Sequence, residues 1–306
     1  MQAPFIVFLM GPTACGKTLI ALELAKQLNA EIISVDSALV YRGMDIGTAK
    51  PDPVLTAQVP HHLIDICDPS QPYSVADFCN DAQAAITDIL SRGRLPLLVG
   101  GTMMYFNALK QPLSSLPSSD PIVRADIMSQ AATLSWPVLH QQLADLDPRA
   151  AQVIHPHDAQ RIARALEVYA LTGVPMGQQM QQEKKCAYRI CSIAIMPHQR
   201  HILHDQIKAR FDLMLAQGFM AEVEALYHRD DLSADLPAMR SVGYRQAWQY
   251  LAGDLDFNIM REKTIAATRQ LAKRQVTWLR AWADLSWFVP FSSSSIIQYV
   301  QKVQQE

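Results

Sequence analysis

The stretch Gly11-Pro12-Thr13-Ala14-Cys15-Gly16-Lys17-Thr18 satisfies the pattern G-x-x-x-x-G-K-[ST] at every constrained position. The apolar run Phe5 to Met10 precedes it, and the helix-forming stretch Leu19-Ile20-Ala21-Leu22-Glu23-Leu24-Ala25 follows. Strand, glycine loop and helix in that order are the context in which this pattern binds phosphate. The glycines let backbone N–H groups curl around an anion, and the helix adds the positive end of its dipole. Lys17 is placed to reach a terminal phosphate and the Thr18 hydroxyl to ligate Mg²⁺. A plain glycine turn is the competing reading. The chain is expected to bind a phosphorylated small molecule, in a parallel α/β sheet.

The loop does not say whether that molecule is ATP. ATP-hydrolysing proteins of this kind carry a further strand ending in an acid that holds the magnesium shell. The best later buried strand, Leu95-Pro96-Leu97-Leu98-Val99, instead runs into Gly100-Gly101-Thr102. The acid stands on another strand, Glu31-Ile32-Ile33-Ser34-Val35, which closes on Asp36. In an open α/β sheet, ligands gather outside the carboxyl ends of the strands, so Asp36, Thr102 and the loop are expected to converge there. Asp36 is open to two readings at this point, a turn cap or a group that acts on a ligand.

The 306 residues suggest about two domains, and a 49% hydrophobic content is ample for real cores. A net charge of −2 advertises no global attraction to nucleic acid, although local patches count for more than totals. Cys15, Cys67, Cys79, Cys186 and Cys191 form no C-x-x-C pair, which suits a reducing cytoplasm, and Cys186 and Cys191 read as small core residues. No apolar run approaches membrane-spanning length, so the expectation is a cytoplasmic, soluble protein.

Residues 1–112 and 188–306 are assigned to the α/β core with C-terminal helices, and 113–187 to a helical insertion domain. Within the core, Tyr41 to Pro51 is glycine-punctuated and polar and reads as a surface loop. His61 and His62 are adjacent on a short strand, so their side chains diverge, which argues against metal ligation. Ser74-Val75-Ala76-Asp77 has capping-box form and opens a helix through about Ser91. Gln111 to Pro121 is a Ser/Pro-rich linker, residues 122–182 have helical periodicity, and Tyr188 to Met196 reads as a strand returning to the sheet. After Pro197 the chain is expected to be helical almost to its end.

Two helical stretches are rich in arginine. From His157 to Glu167 the polar residues recur three apart, as on an exposed face with ion pairs such as Arg164 with Glu167. From Arg261 to Arg280, six basic side chains (Arg261, Lys263, Arg269, Lys273, Arg274, Arg280) face one acid, Glu262. Trp278 and Trp282 are expected to pack this helix onto the core. Either a solvated face or a polyanion contact fits, and the one-signed excess favours the polyanion.

Taken together, these segments resemble the bacterial tRNA dimethylallyltransferases, also called tRNA isopentenyltransferases. The resemblance runs from Gly11 to about Trp282. It is carried by Gly11–Thr18, Asp36–Pro51, His61–Asp65, Gly100–Thr102, Arg161–Tyr169, Arg240–Gln246 and Thr268–Arg280. The first segment is generic to nucleotide-binding loops; the second and the last are specific. Cys15 departs mildly from the expected Ser or Ala at an unconstrained position.

The resemblance implies transfer of a dimethylallyl group from its diphosphate to the exocyclic amine of an adenine next to the anticodon. The loop then holds a diphosphate leaving group, with Mg²⁺ and Lys17 neutralising its charge, which accounts for the missing strand-end acid. By the same resemblance Asp36 removes the proton from the amine. Thr102 and Arg124 stand around the reacting groups, and Arg210 is a further diphosphate ligand. The resemblance assigns tRNA contacts to Asp36, Ser37, Ala38 and Leu39, and to Gln160, Arg161, Ile162, Ala163 and Arg164. It also assigns them to Arg240, Ser241, Val242, Gly243, Tyr244 and Arg245, and to Lys273, Arg274, Gln275, Val276, Thr277, Trp278, Leu279 and Arg280. It implies a monomer whose helical insertion and basic C-terminal helices clamp an anticodon stem-loop. A small-molecule kinase shares the loop, sheet and lid, but leaves the basic stretch unexplained. A non-catalytic RNA-binding module leaves Lys17 and Thr18 without a role.

Overall fold

A computed structural model of the protein describes residues 3–111, 116–179 and 186–306. It divides into two compact units, Met1–Lys110 with Ala187–Glu306, and Gln111–Cys186. Part of the expected linker (112–115) and the end of the expected insertion (180–185) lie outside the described residues.

The first unit is built on six strands: β1 (Phe5–Met10), β2 (Ala30–Val35), β3 (His61–His62), β4 (Leu95–Gly100), β5 (Arg189–Ile195) and β6 (Leu285–Phe288). All pair in parallel, in the order β3-β2-β4-β1-β5-β6. Both faces are covered, so β1 and β2 are buried along their whole length. Successive side chains feed opposite layers: Phe5, Val7 and Leu9 join one core cluster, while Ile6, Phe8 and Met10 join the other.

The strands β2, β4 and β1 end level with one another, since Val35 pairs with Gly100 and Gly100 with Met10. The next residues, Asp36, Gly101 and Gly11, therefore emerge side by side. Gly100 is required there, because a Cβ at that position would lie 2.0 Å from the Val35 carbonyl oxygen.

Helices α1 (Lys17–Gln27), α2 (Pro53–Thr56), α3 (Val75–Ser91) and α4 (Met103–Lys110) complete the first part of this unit. The α3 capping box forms as expected, with Ser74 and Asp77 exchanging hydrogen bonds. The second unit is helical: α5 (Pro121–Leu134), α6 (Trp136–Leu146), α7 (Pro148–Val153), α8 (Ala159–Thr172) and α9 (Met176–Gln179). It has its own core of Ile127, Leu139, Leu143, Ile154, Ile162 and Ala163. The chain then returns through β5 to α10 (Arg200–Ala216), α11 (Phe219–Tyr227), α12 (Tyr244–Leu251), α13 (Phe257–Arg280) and α14 (Ser293–Gln305).

Four local expectations change. A sixth strand, β6, interrupts the helical C-terminal stretch; it has only four residues, and Trp287 is turned outward, so it carries little strand signal. The stretch Tyr41 to Pro51 is not a simple surface loop: Tyr41 and Met44 are fully buried. Glu222 on α11 accepts the amides of Asp45, Ile46 and Gly47 at 2.8, 2.7 and 3.0 Å. A carboxylate 175 or more residues away thus satisfies backbone that local composition assigns to water. Trp278 remains 42% exposed instead of packing inward. Trp282 lies beyond the end of α13, where its ring meets Phe8 edge-on at 6.5 Å. Finally, Cys191 is a core residue, whereas Cys186 is only half-buried.

Candidate active site

At the level strand ends lies a cavity of about 540 Å³, within the range of small-molecule sites. The phosphate loop borders it. Gly16 takes a left-handed backbone (φ 85°) immediately before α1, and the Lys17 ammonium turns back to donate to the Gly11 and Pro12 carbonyls at 2.9 and 2.8 Å. Lys17 thereby holds the loop in shape with its own charge. Thr18 is exposed in the first turn of α1.

Thr13 is the loop residue that lines the cavity. Its Oγ1 accepts from Arg210 Nη2 at 2.5 Å, and its amide donates to Gln275 Oε1 at 2.8 Å. Arg210 projects from α10 into the same space; burial pulls its guanidinium below the usual arginine value, and the Asp36 charge pushes back. A half-buried cation with no ion-pair partner among the described residues suits a site that receives an anion.

Asp36 lines the same cavity. Its Oδ1 accepts the amides of Ala38 and Leu39 at 2.9 and 3.4 Å, so Asp36 does cap its own turn. Its Oδ2 has no hydrogen-bond partner among the described residues. Beside it, Ser37 N–H donates to Thr102 Oγ1 at 3.1 Å, which leaves the Thr102 proton available to a ligand. The cavity also has an apolar lining of Ile207, Phe211, Met214 and Phe219.

Of the residues singled out in the sequence, the cavity gathers Thr13, Asp36, Ser37, Ala38, Thr102 and Arg210. It also gathers Arg240, Ser241, Val242, Gly243, Tyr244, Arg274, Gln275 and Trp278. Exposed Arg240, Arg274 and Trp278 lie at its rim. The remaining loop residues, together with Leu39, Arg245, Lys273, Val276, Thr277, Leu279 and Arg280, do not line it. Lys273, Arg280 and Arg245 are exposed, whereas Leu279 is a core residue. The basic stretch is less uniform than its sequence, since Arg261 is paired with Asp212 at 2.5 Å.

Arg124 and residues 160–164 belong to the helical unit. Glu167, fully buried in α8, accepts from Ser119 Oγ at 2.5 Å, the Asp120 amide at 3.0 Å and Arg164 Nη1 at 2.9 Å, with Arg124 at 3.8 Å. Burial alone would raise its carboxyl; the bonds from Ser119 and Arg164 outweigh that and hold it below the usual range. Arg164 also donates to the Pro117 carbonyl. The polar repeat of α8 is therefore partly an internal anchor, and Ile162 and Ala163 are core. Gln160 and Arg161 remain exposed.

Glu222 is the residue that sequence reasoning missed. Besides the three amides it accepts the Tyr244 hydroxyl at 2.5 Å, so it fixes one wall of the cavity. No local pattern marks it, because every partner is distant in sequence.

The fold and site define an enzyme of the phosphate-loop class whose cavity joins an anion cradle, a carboxylate with a free oxygen and an apolar wall. Residues 39–282 match the model of the IPP transferase family, and the chain belongs to that family. It is 38% identical to the full-length tRNA isopentenylpyrophosphate transferase of Bacillus halodurans, with a TM-score of 0.74 over 98% of this chain and 97% of the other. It is 31% identical to the tRNA delta(2)-isopentenylpyrophosphate transferase of Staphylococcus epidermidis, with a TM-score of 0.70 over 99% of each chain. A eukaryotic dimethylallyltransferase acting on tRNA is 25% identical, with a TM-score of 0.79 over 99% of this chain and 77% of that one.

Proposed function

We propose that the protein transfers the dimethylallyl group of dimethylallyl diphosphate to the exocyclic amine of the adenine next to the anticodon of tRNA, releasing diphosphate. The observation that carries this is the free Oδ2 of Asp36 in one cavity with Thr13, Thr102 and Arg210. An adenine amine is a weak nucleophile because its lone pair is delocalised into the ring. Asp36 takes its proton as the new N–C bond forms and the C–O bond to diphosphate breaks. Arg210 and Lys17 receive the charge that develops on the leaving group. The hydrocarbon chain lies against Phe211, Met214 and Phe219. The adenine must leave its stack to enter, and Arg240, Arg274 and Trp278 at the rim offer phosphate contacts and an aromatic face to the nucleotides around it.

Mg²⁺ is part of this reading. Among the described residues no cluster of three or more His, Cys, Asp or Glu could hold an ion unaided. The exposed Thr18 hydroxyl fits a magnesium that arrives with diphosphate oxygens and water as its other ligands. Bound there, the ion would neutralise charge on the leaving group. We take the working form to be a monomer in the cytoplasm, where the thiols of Cys15, Cys67, Cys79 and Cys191 stay reduced. No described helix is long and apolar enough to cross a membrane.

The test is to incubate the protein with bulk tRNA and either prenyl-labelled dimethylallyl diphosphate or γ-labelled ATP. The prenyl label should enter tRNA at adenine. Movement of the γ-phosphoryl label instead would make the protein a kinase and end this reading.

A further inference from the structure

We propose that Gln275 is a positioning residue for the transfer, setting the spacing between the phosphate-binding loop and the turn that carries Thr102. The proposal rests on the function stated above. Gln275 lies on α13 between exposed Arg274 and exposed Thr277, but its own side chain is buried. Its sequence neighbourhood marks it as one more contact for tRNA. Its geometry points inward.

Both ends of its amide are used. Oε1 accepts the Thr13 N–H at 2.8 Å, and Nε2 donates to the Gly101 carbonyl at 2.9 Å. The partners are 262 and 174 residues away in sequence, so neither bond is a by-product of local structure. The fit is close on the Gly101 side: a Cβ on Gly101 would lie 2.4 Å from Gln275 Nε2.

The bonds continue in both directions. Thr13 is the loop residue on the cavity and accepts from Arg210. Gly101 precedes Thr102, whose Oγ1 accepts the Ser37 N–H, and Ser37 follows Asp36. One side chain thus links the groups that take the leaving diphosphate to the groups that take the proton. The transfer breaks a bond on one side and removes a proton on the other, so the spacing enters the rate directly. A misplacement of about 1 Å can cost about 10²-fold.

The chemistry of the side chain is specific. Glutamate keeps the acceptor but cannot donate to Gly101, asparagine is one methylene short, and leucine satisfies neither partner.

The experiment measures single-turnover prenyl transfer at saturating tRNA and dimethylallyl diphosphate for wild type, Gln275→Ala, Gln275→Glu, Gly101→Ala and the double variant Gly101→Ala/Gln275→Ala. Melting temperatures are recorded on the same samples. Each single variant should lower the transfer rate by about 10- to 100-fold, with the tRNA KM within about twofold of wild type. Gly101→Ala should add nothing in the Gln275→Ala background, because its methyl enters the space that the amide vacates. Unchanged rates, a loss confined to the tRNA KM, additive single effects, or variants that unfold instead of slowing would each overturn the proposal. A wild-type protein that transfers nothing would defeat the assigned reaction instead. In that case inorganic diphosphate decides: its affinity should fall about tenfold in Gln275→Ala, the value of one lost hydrogen bond, and equal affinity would count against Gln275.

Discussion

Glu31 and Asp36 mark the two ends of one strand, and their surroundings could hardly differ more. Glu31, near the start of β2, is 2% exposed. It accepts from His62 Nε2 at 2.7 Å, Arg92 Nη2 at 2.7 Å and Arg94 Nη1 at 3.1 Å. Burial alone would raise its carboxyl, but hydrogen bonds from Arg92 and His62 prevail and hold it below its usual value. Asp36, one residue past the other end, uses one oxygen for its turn and leaves the second free at a cavity. Saturating a carboxylate locks structure, whereas an oxygen left open beside an anion cradle is available for chemistry. In a parallel sheet the split follows from topology, since the carboxyl ends of the strands face the ligand.

Exchanging the two acids for neutral residues should separate these roles. The largest effect belongs to Asp36→Ala: turnover should fall by about two to four orders of magnitude with diphosphate affinity nearly intact. Steady-state kinetics with diphosphate titration checks both halves, and a collapse of diphosphate binding would make Asp36 an anchor for the donor. Lys17→Ala should come next, losing about 10²-fold or more in turnover, because the ammonium shapes the loop and meets the leaving group. Chelation by EDTA should abolish transfer by the unmodified protein until Mg²⁺ is restored; full activity in metal-free buffer would remove the ion from the account.

Glu31→Gln should act on stability instead, costing about 1–3 kcal/mol in a denaturant titration while kcat is preserved. The low end is expected, since Arg92 and Arg94 are about 40% exposed and water shares their charge. Because the folded value of Glu31 is depressed, its contribution is complete above about pH 4.5 and is lost as the pH falls through the lower folded value. The variant should therefore lose less stability between pH 5 and pH 3 than the parent. Smallest per residue is the effect of neutralising Lys273, Arg274 and Arg280. The tRNA KM should rise, and each lost contact should reduce its salt slope by something under one unit, with the KM for dimethylallyl diphosphate unchanged. Equal affinity at every salt concentration would return this face to simple solvation.

Local patterns announced the loop, the α3 cap and the parallel strands, because each depends on neighbours in sequence. The approach of Asp36 to Thr102 also followed, since strand ends in such a sheet converge. What escaped was long-range satisfaction of polar groups. Glu222 pins three amides of a loop that reads as solvated. The three-residue spacing did show the pair of Arg164 with Glu167; it did not show that Glu167 is fully buried and also accepts from Ser119 and Asp120, 48 and 47 residues away. Gln275 points inward from a helix face that reads as basic. In each case the partner is fixed by packing and leaves no periodic trace. Four-residue β6 escaped for a different reason: its alternation is too short to distinguish.

The contrast between the two ends of β2 is tested most directly by preparing Asp36→Asn and Glu31→Gln side by side. Single-turnover prenyl transfer to tRNA and the melting temperature are read on the same samples. The account predicts that Asp36→Asn melts within a few degrees of the parent and transfers slower by about 10²-fold or more. Glu31→Gln should melt lower and transfer at the parental rate below its melting range. A fast Asp36→Asn, or a folded Glu31→Gln that is catalytically dead, would contradict it.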